Sequence, residues 1–203
     1  MACTYDAENH TYEVDGRRVP SVTEIAGLLT ARKYAETNPA ILAQAQRRGT
    51  EVHELCEAID CGIDPAELEI APELVGYVNA YLAFLRDYRP TWDYIEKIVC
   101  TQEYAGRADR IGKIDGKPCI VDIKTTANMD RLSKLSLAFQ LYFYNEAFYS
   151  GFADTLYGVQ LKKDGTYTAQ DYRKIISRYG VSVVSAAEEL LNLTQLIGGY
   201  STT

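Results

Sequence analysis

The stretch YAGRADRIGKIDGKPCIVDIKT, residues 104–125, has the pattern of two β-strands joined by a tight turn. Apolar and polar residues alternate on both sides of Asp115-Gly116, a pair that supplies the positive φ angles of a two-residue hairpin loop. Extending the strand pairing outward from this turn places Asp109 opposite Asp122. Residues that face each other in this way have Cβ atoms about 4.5–5.5 Å apart. The hairpin therefore predicts two neighbouring carboxylates.

Two cations accompany these carboxylates. The side-chain period of two puts Lys124 on the face of Asp122, whereas Val121 points the other way, into the core. Arg107, which faces Lys124 in this register, lies beside Asp109. Two carboxylates that leave room for water and phosphate suit Mg²⁺, and a nearby lysine can stabilise charge on a reacting phosphate. The alternative is a solvated strand face on which the four charges form salt bridges.

The rest of the chain predicts a mixed central β-sheet flanked by helices, an α/β fold. A small hairpin is expected from His10 to Val19, and the spacing of Ser21 and Glu24 is that of a capping box at a helix start. Further strands are predicted at Tyr94–Thr101, Tyr104–Ile114, Lys117–Lys124 and Thr155–Leu161. Helices are predicted at about 39–60, with a break at Gly49, and at about 72–89, 133–149 and Val181–Ile197.

Length and composition predict one globular domain over residues 1–203. The chain is 47% hydrophobic and 24% charged, and no linker or repeat divides it. Within the domain we expect an N-terminal hairpin with helices at about 1–90. The sheet and the helix that follows it should occupy 91–162, and a C-terminal strand and helix extension should occupy 163–203.

The excess of acidic residues is concentrated in one segment of the chain. The net charge is −7, but eight acids and no lysine or arginine lie in residues 51–73, so the remainder carries a net charge of +1. The charge total therefore does not exclude a DNA partner. The acidic segment could screen the outside of its helix or bind a partner protein.

Cysteines and hydropathy predict a cytoplasmic protein. The five cysteines are irregularly spaced, as expected for reduced thiols rather than a disulfide framework. The first ten residues have neither the basic nor the apolar region of a secretory signal. The longest apolar run, Ala80–Leu85, is too short to cross a bilayer, so no membrane partner is expected.

An ordered set of short motifs resembles the PD-(D/E)XK nuclease superfamily, and within it the RecB-type and phage-type exonucleases. The set comprises GTEVH at 49–53, Glu96, GRAD at 106–109, IVDIKT at 120–125 and Q-x-x-x-Y from Gln140 to Tyr144. The opening stretch, 10–23, is similar to the entry of stand-alone phage exonucleases. The resemblance covers about residues 5–160 and implies a restriction-endonuclease-like core.

The resemblance also implies roles for individual residues. Asp109, Asp122, the Ile123 carbonyl and His53 would hold Mg²⁺, for which Mn²⁺ should substitute. Lys124 would be the catalytic lysine and Glu96 an acidic helper near the metal. The remaining residues would brace the site or touch DNA: Gln140, Tyr144 and Arg107. Without the resemblance, His53 would be assigned to the surface, Glu96 to cross-strand pairing, and Gln140 and Tyr144 to the edge of a buried helix.

The implied activity is Mg²⁺-dependent hydrolysis of DNA from linear ends, as in phage or recombination-repair exonucleases. No cysteine follows Cys119, so the iron–sulfur cluster of some relatives is not expected. The chain has no phosphate-binding loop of the GxxxxGK[ST] type and hence no motor of its own. The alternatives are an endonuclease of the same superfamily, a DNA-binding module that has lost catalysis, and a soluble domain whose hairpin charges are merely paired.

Overall fold

The computed structural model describes residues 1–149, 153–179 and 181–200. Its strands are β1 (Cys3–Asp6), β2 (Thr11–Val14), β3 (Arg17–Val19), β4 (Thr91–Cys100), β5 (Ala105–Ile114), β6 (Lys117–Lys124), β7 (Thr155–Leu161) and β8 (Tyr167–Asp171). Its helices are α1 (Val22–Gly27), α2 (Ala31–Ala35), α3 (Pro39–Asp60), α4 (Val75–Tyr88), α5 (Arg131–Phe148), α6 (Arg173–Tyr179) and α7 (Val181–Gly198). In these ranges no helix combines the length and apolar character needed to span a membrane.

A five-stranded mixed sheet forms the centre of the molecule, in the order β4-β5-β6-β7-β8. Strands β6 and β7 are parallel, and the other neighbours are antiparallel. Helix α5 makes the crossover that two parallel strands require. The predicted α/β class, with a mixed central sheet flanked by helices, is confirmed.

The N-terminal hairpin has the backbone angles that its turn residues predict. Asp15 and Gly16 have φ of 49° and 78°, as a type I′ turn requires, and β1 adds a third strand beside β2. The predicted capping box is present at the start of α1. Ser21 Oγ accepts a hydrogen bond from the Glu24 backbone N–H at 3.0 Å, and Glu24 Oε2 accepts one from the Ser21 N–H at 2.7 Å.

Helix α3 is continuous, so the predicted break at Gly49 is wrong. Its 22 residues include Gly49 without interruption. A glycine in a helix interior costs only about 0.5–1 kcal/mol relative to alanine. Burial of Val52 and Cys56 in one apolar stripe outweighs that cost. A Cβ at position 49 would lie 3.7 Å from Thr125 Oγ1, so α3 passes closely over the end of β6 at this residue.

Both faces of the sheet are covered. One core contains Ile111 and Ile120 of the hairpin together with apolar residues of α1, α5 and α7. The other core contains Val121 and Ile123 packed against α3 and α4, as the side-chain period predicts for Val121. A solvated face is therefore wrong for the two hairpin carboxylates, because Asp122 is completely buried and Asp109 nearly so, whereas Arg107 is exposed.

Candidate active site

The hairpin has the predicted register. Asp115 and Gly116 have φ of 51° and 74°, and the β5–β6 pairing runs from Ile114–Lys117 to Arg110–Val121. The next position outward is Asp109 on β5 and Asp122 on β6.

The Asp109 side chain adds a hydrogen bond between strands β5 and β6. Asp109 Oδ2 accepts a hydrogen bond from the Ile123 backbone N–H at 2.7 Å. The backbone carbonyl of Asp109 accepts one from Arg110 Nη1 at 2.7 Å. The hydrogen bond from the Ile123 N–H fixes the Asp109 side chain against the end of β6.

His53 reaches the same point from helix α3. Its Nε2 lies 3.0 Å from the Ile123 carbonyl oxygen, and its Nδ1 lies 3.6 Å from Asp109 Oδ2. Burial alone lowers the pKa of His53, but the carboxylates of Asp109 and Glu96 outweigh it and the pKa is raised. The structure therefore places His53 in the site and not on an outer surface of the helix.

Glu96 enters the site from β4 on a distorted backbone. Its neighbours Ile95 and Lys97 pair with Arg110 and Ala108, which puts Glu96 level with Asp109 on the adjacent strand. Its φ of 49° is rare for a non-glycine residue within a strand. Such conformations cost about 1–3 kcal/mol and concentrate at functional sites.

Arg107 contacts a carboxylate on the strand beside it. It lies opposite Ile98 of β4, and its Nε is 2.9 Å from Glu96 Oε2. The described β5–β6 pairing ends at Arg110–Val121, so the predicted position of Arg107 opposite Lys124, on its other side, stays a prediction.

Asp122 and Lys124 form a close ion pair on the opposite side of β6 from Ile123. Lys124 Nζ lies 2.6 Å from Asp122 Oδ2, whereas Asp122 Oδ1 has no hydrogen-bond partner among the described residues. Burial raises the pKa of Asp122 to about 6, although Lys124 partly opposes the shift. Burial lowers the pKa of Lys124, but Asp122 and Asp109 more than compensate and the pKa is raised.

These donors fit a divalent cation. One ligand atom from each of His53, Glu96 and Asp109 lies within 4.8 Å of the others. A buried carboxylate oxygen without a partner, Asp122 Oδ1, is costly unless a cation or water satisfies it. Carboxylate oxygens with one imidazole suit Mg²⁺ or Mn²⁺ better than a soft metal.

Gln140 and Tyr144 lie one turn apart on α5, on the side of the sheet that this helix covers. Gln140 Nε2 donates a hydrogen bond to the Tyr144 hydroxyl at 2.9 Å, and both side chains are buried. Burial raises the pKa of Tyr144, and the carboxylates of Asp122 and Asp109 raise it further. The ring packs against Gly106, where an added Cβ would lie 2.8 Å from Tyr144 Cε1, so a glycine is required there.

Comparison with known proteins gives remote similarity only. No family model and no curated protein matches the sequence. Among solved structures, the chain is similar to LHK-Exo, an alkaline exonuclease from Laribacter hongkongensis. The TM-score is 0.40 at 13% identity, over 86% of this chain and 81% of that one. It is also similar to SSO0001, with a TM-score of 0.42 at 15% identity, over 89% of this chain and 79% of that one. The chemistry of the site is therefore inferred from its own residues.

A buried ion pair that lies behind the site was not predicted from the sequence. Arg110 is completely buried, with Nε 2.5 Å from Asp60 Oδ2 and Nη1 3.1 Å from Glu96 Oε1. Asp60 also accepts hydrogen bonds from the Tyr81 hydroxyl and from Trp92 Nε1. The predicted hairpin register could have identified this residue. Arg110 faces Val121 on the neighbouring strand, so its side chain must point into the same core.

Proposed function

We propose that this protein is a Mg²⁺-dependent deoxyribonuclease of the PD-(D/E)XK superfamily. Its branch would be the RecB-type and phage-type exonucleases, which act on linear DNA ends. The observation that carries the proposal is the buried Asp122, which contacts Lys124 through Oδ2 and whose Oδ1 has no hydrogen-bond partner in the described part of the chain. A buried carboxylate oxygen in this state is costly, and a bound cation would satisfy it.

The proposed metal ligands come from helix α3 and strands β5 and β6. Asp109, Asp122, His53 and the Ile123 carbonyl are the proposed ligands, and Glu96 is an acidic group beside them. A bound divalent cation supplies Lewis-acid polarisation of a phosphate and a water of lowered pKa. Ile123 contributes only its backbone, which explains why an apolar residue can occupy this position.

The side chains around the ligands have separate tasks. Lys124, held at 2.6 Å by Asp122, places a positive charge where charge develops on a phosphate in the transition state. Gln140 and Tyr144 brace the Asp122 side of the sheet. Arg107 has a partly exposed side chain, which lets it contact a DNA phosphate while it holds Glu96.

A comparison of linear and covalently closed circular DNA tests the activity. With Mg²⁺, the purified protein should degrade the linear form and leave the circle intact, and EDTA should stop the reaction. Loss of both forms would instead identify an endonuclease. Binding without loss of either form would identify a DNA-binding module and would refute the catalytic assignment.

Replacing His53 tests the ligand set. His53→Ala removes one of the proposed ligands, so calorimetric titration should show Mn²⁺ affinity reduced by a factor on the order of 10–100. Thermal unfolding without metal should confirm that the variant is folded. His10→Ala is the matched control, because His10 lies in the N-terminal turn, where its Nδ1 is 2.8 Å from the Tyr5 hydroxyl. Equal Mn²⁺ affinity in wild type and His53→Ala would show that His53 is not a metal ligand.

The other expectations for this chain stay proposals. We propose a single cytoplasmic domain, with which the five free cysteines are compatible. The acidic segment 51–73 is still a candidate surface for a partner protein. One of its eight acids already has an internal role, since Asp60 pairs with Arg110, and only the exposed remainder could serve a partner.

A further inference from the structure

A basic groove opens beside Lys124 on the face of the sheet that α5 covers. It has a volume of about 590 Å³ and lies between the end of β6, the following loop, the start of α5 and strands β7 and β8. Lys124, Lys134 and Lys162 line it, and no aspartate or glutamate does. Lys124 is already paired with Asp122, but in a chain with a net charge of −7 the two further lysines and the absence of an acid from the described lining indicate an anionic ligand.

We propose that this groove binds a single strand of DNA that continues from the phosphate at Lys124. The proposal rests on the proposed nuclease function and specifies its substrate: a strand end that is single-stranded where it meets the protein. Lys134 and Lys162 contact successive phosphates of that strand.

The two outer lysines are available for phosphates. In the described ranges, neither Lys134 Nζ nor Lys162 Nζ has a carboxylate within ion-pair distance. The nearby acids are engaged elsewhere. Asp130 Oδ2 lies 2.6 Å from Lys33 Nζ, and Asp164 Oδ1 accepts hydrogen bonds from the Thr166 N–H at 3.0 Å and hydroxyl at 2.6 Å.

The walls and floor of the groove are fixed before any ligand binds. Gln160 Nε2 donates to the Thr126 carbonyl at 2.7 Å, and Gln160 Oε1 accepts from the Thr168 hydroxyl at 3.2 Å. The floor is closed because the side chains of Leu137 and Tyr172 meet over Gly158, where an added Cβ would lie 2.6 Å from each of them. A prepared site of this kind binds with little cost of ordering.

The size of the groove favours one strand over two. Its volume of about 590 Å³ is in the range of sites that enclose a small ligand, so we assign it to a few nucleotides of one strand. Tyr172, which lines the groove, is almost fully buried and offers no face for base stacking. Lysines act as point charges on phosphate, and contacts of this kind carry no sequence information. Binding should therefore be independent of base sequence.

Fluorescence anisotropy with a fluorescein-labelled oligothymidylate of twelve nucleotides, in EDTA, tests the groove without catalysis. K134A/K162A should weaken binding at least tenfold. The slope of log affinity against log salt should fall by about 1.4, since each phosphate contact on a single strand contributes about 0.7. The charge-matched control is K117A/K163A, which removes two exposed lysines outside the groove and should leave affinity nearly unchanged.

Each outcome decides the proposal. Equal losses in the two double variants, or no loss in K134A/K162A, would overturn the groove assignment. A blunt hairpin duplex that binds as tightly as the single strand would overturn the single-strand preference. Hydrolysis of bis(p-nitrophenyl) phosphate with Mn²⁺ separates the two claims, because this small ester does not need the groove. Wild type should cleave it. If wild type cleaves neither the ester nor DNA, the nuclease proposal fails while the anisotropy result still judges the groove.

Discussion

Asp122→Asn should lose metal binding and turnover together. The substitution preserves shape but removes the negative charge of a fully buried carboxylate, which is a proposed metal ligand and lies beside Lys124. DNA cleavage should fall by more than the factor of about 10²–10³ that deletion of one transition-state stabiliser costs. Calorimetric titration with Mn²⁺, alongside a nuclease assay, measures both losses. Retained Mn²⁺ affinity in this variant would show that Asp122 is not a metal ligand.

Lys124→Ala should fail in a different way. It leaves the carboxylates of Asp122 and Asp109 free to bind Mn²⁺, and affinity should rise because a neighbouring positive charge is gone. Turnover should nevertheless fall by about 10²–10³. Lys117→Ala, at the opposite end of β6, is the matched control and should keep full activity. Near-normal turnover in Lys124→Ala would mean that this lysine is only a salt-bridge partner.

The largest loss of stability is expected from Arg110→Met. This change keeps most of the side-chain volume but leaves Asp60 buried without its cation, and Glu96 loses one of two arginine partners. Breaking a buried ion pair from one side costs about 3–5 kcal/mol, a large part of the 5–15 kcal/mol that stabilises a typical domain. Urea unfolding monitored by circular dichroism measures the free energy of unfolding.

A double variant separates the lost pair from lost packing. Asp60→Asn keeps one acceptor oxygen for Trp92 Nε1, and its amide N–H can donate to the Tyr81 hydroxyl, but the change removes the charge that Arg110 neutralises. The combination Asp60→Asn/Arg110→Met should therefore cost less than the sum of the two single changes. Strict additivity would show that Arg110 contributes through packing alone.

Local rules predicted the hairpin and the helix start. Asp115-Gly116 sets the register of β5 and β6 because few residue pairs adopt its turn, and the period of two then fixes which side chains share a face. The capping box at Ser21 is likewise decided within four residues. These features depend on neighbours along the chain, so the sequence contains nearly all the information about them.

Long-range packing decided what the local rules missed. His53 contacts the Ile123 carbonyl across 70 residues of chain, a position that only the docking of α3 determines. Gly49 suggested a helix break, but buried neighbours keep α3 intact. The left-handed backbone of Glu96 has no signature in its own residue type, since glutamate disfavours positive φ. The motif resemblance brought His53 and Glu96 into the site prediction, where periodicity alone would have omitted them.

Two groups of like charge lie on opposite faces of the sheet. The acids of residues 51–73 belong to helix α3 and the segment after it, whereas Lys134 and Lys162 line the groove on the face of α5. These two groups set up an electric field directed across this part of the sheet. A polyanion that diffuses towards it is repelled from the α3 side and turned towards the groove before any contact forms. The rate of productive encounter should therefore exceed what a net charge of −7 allows.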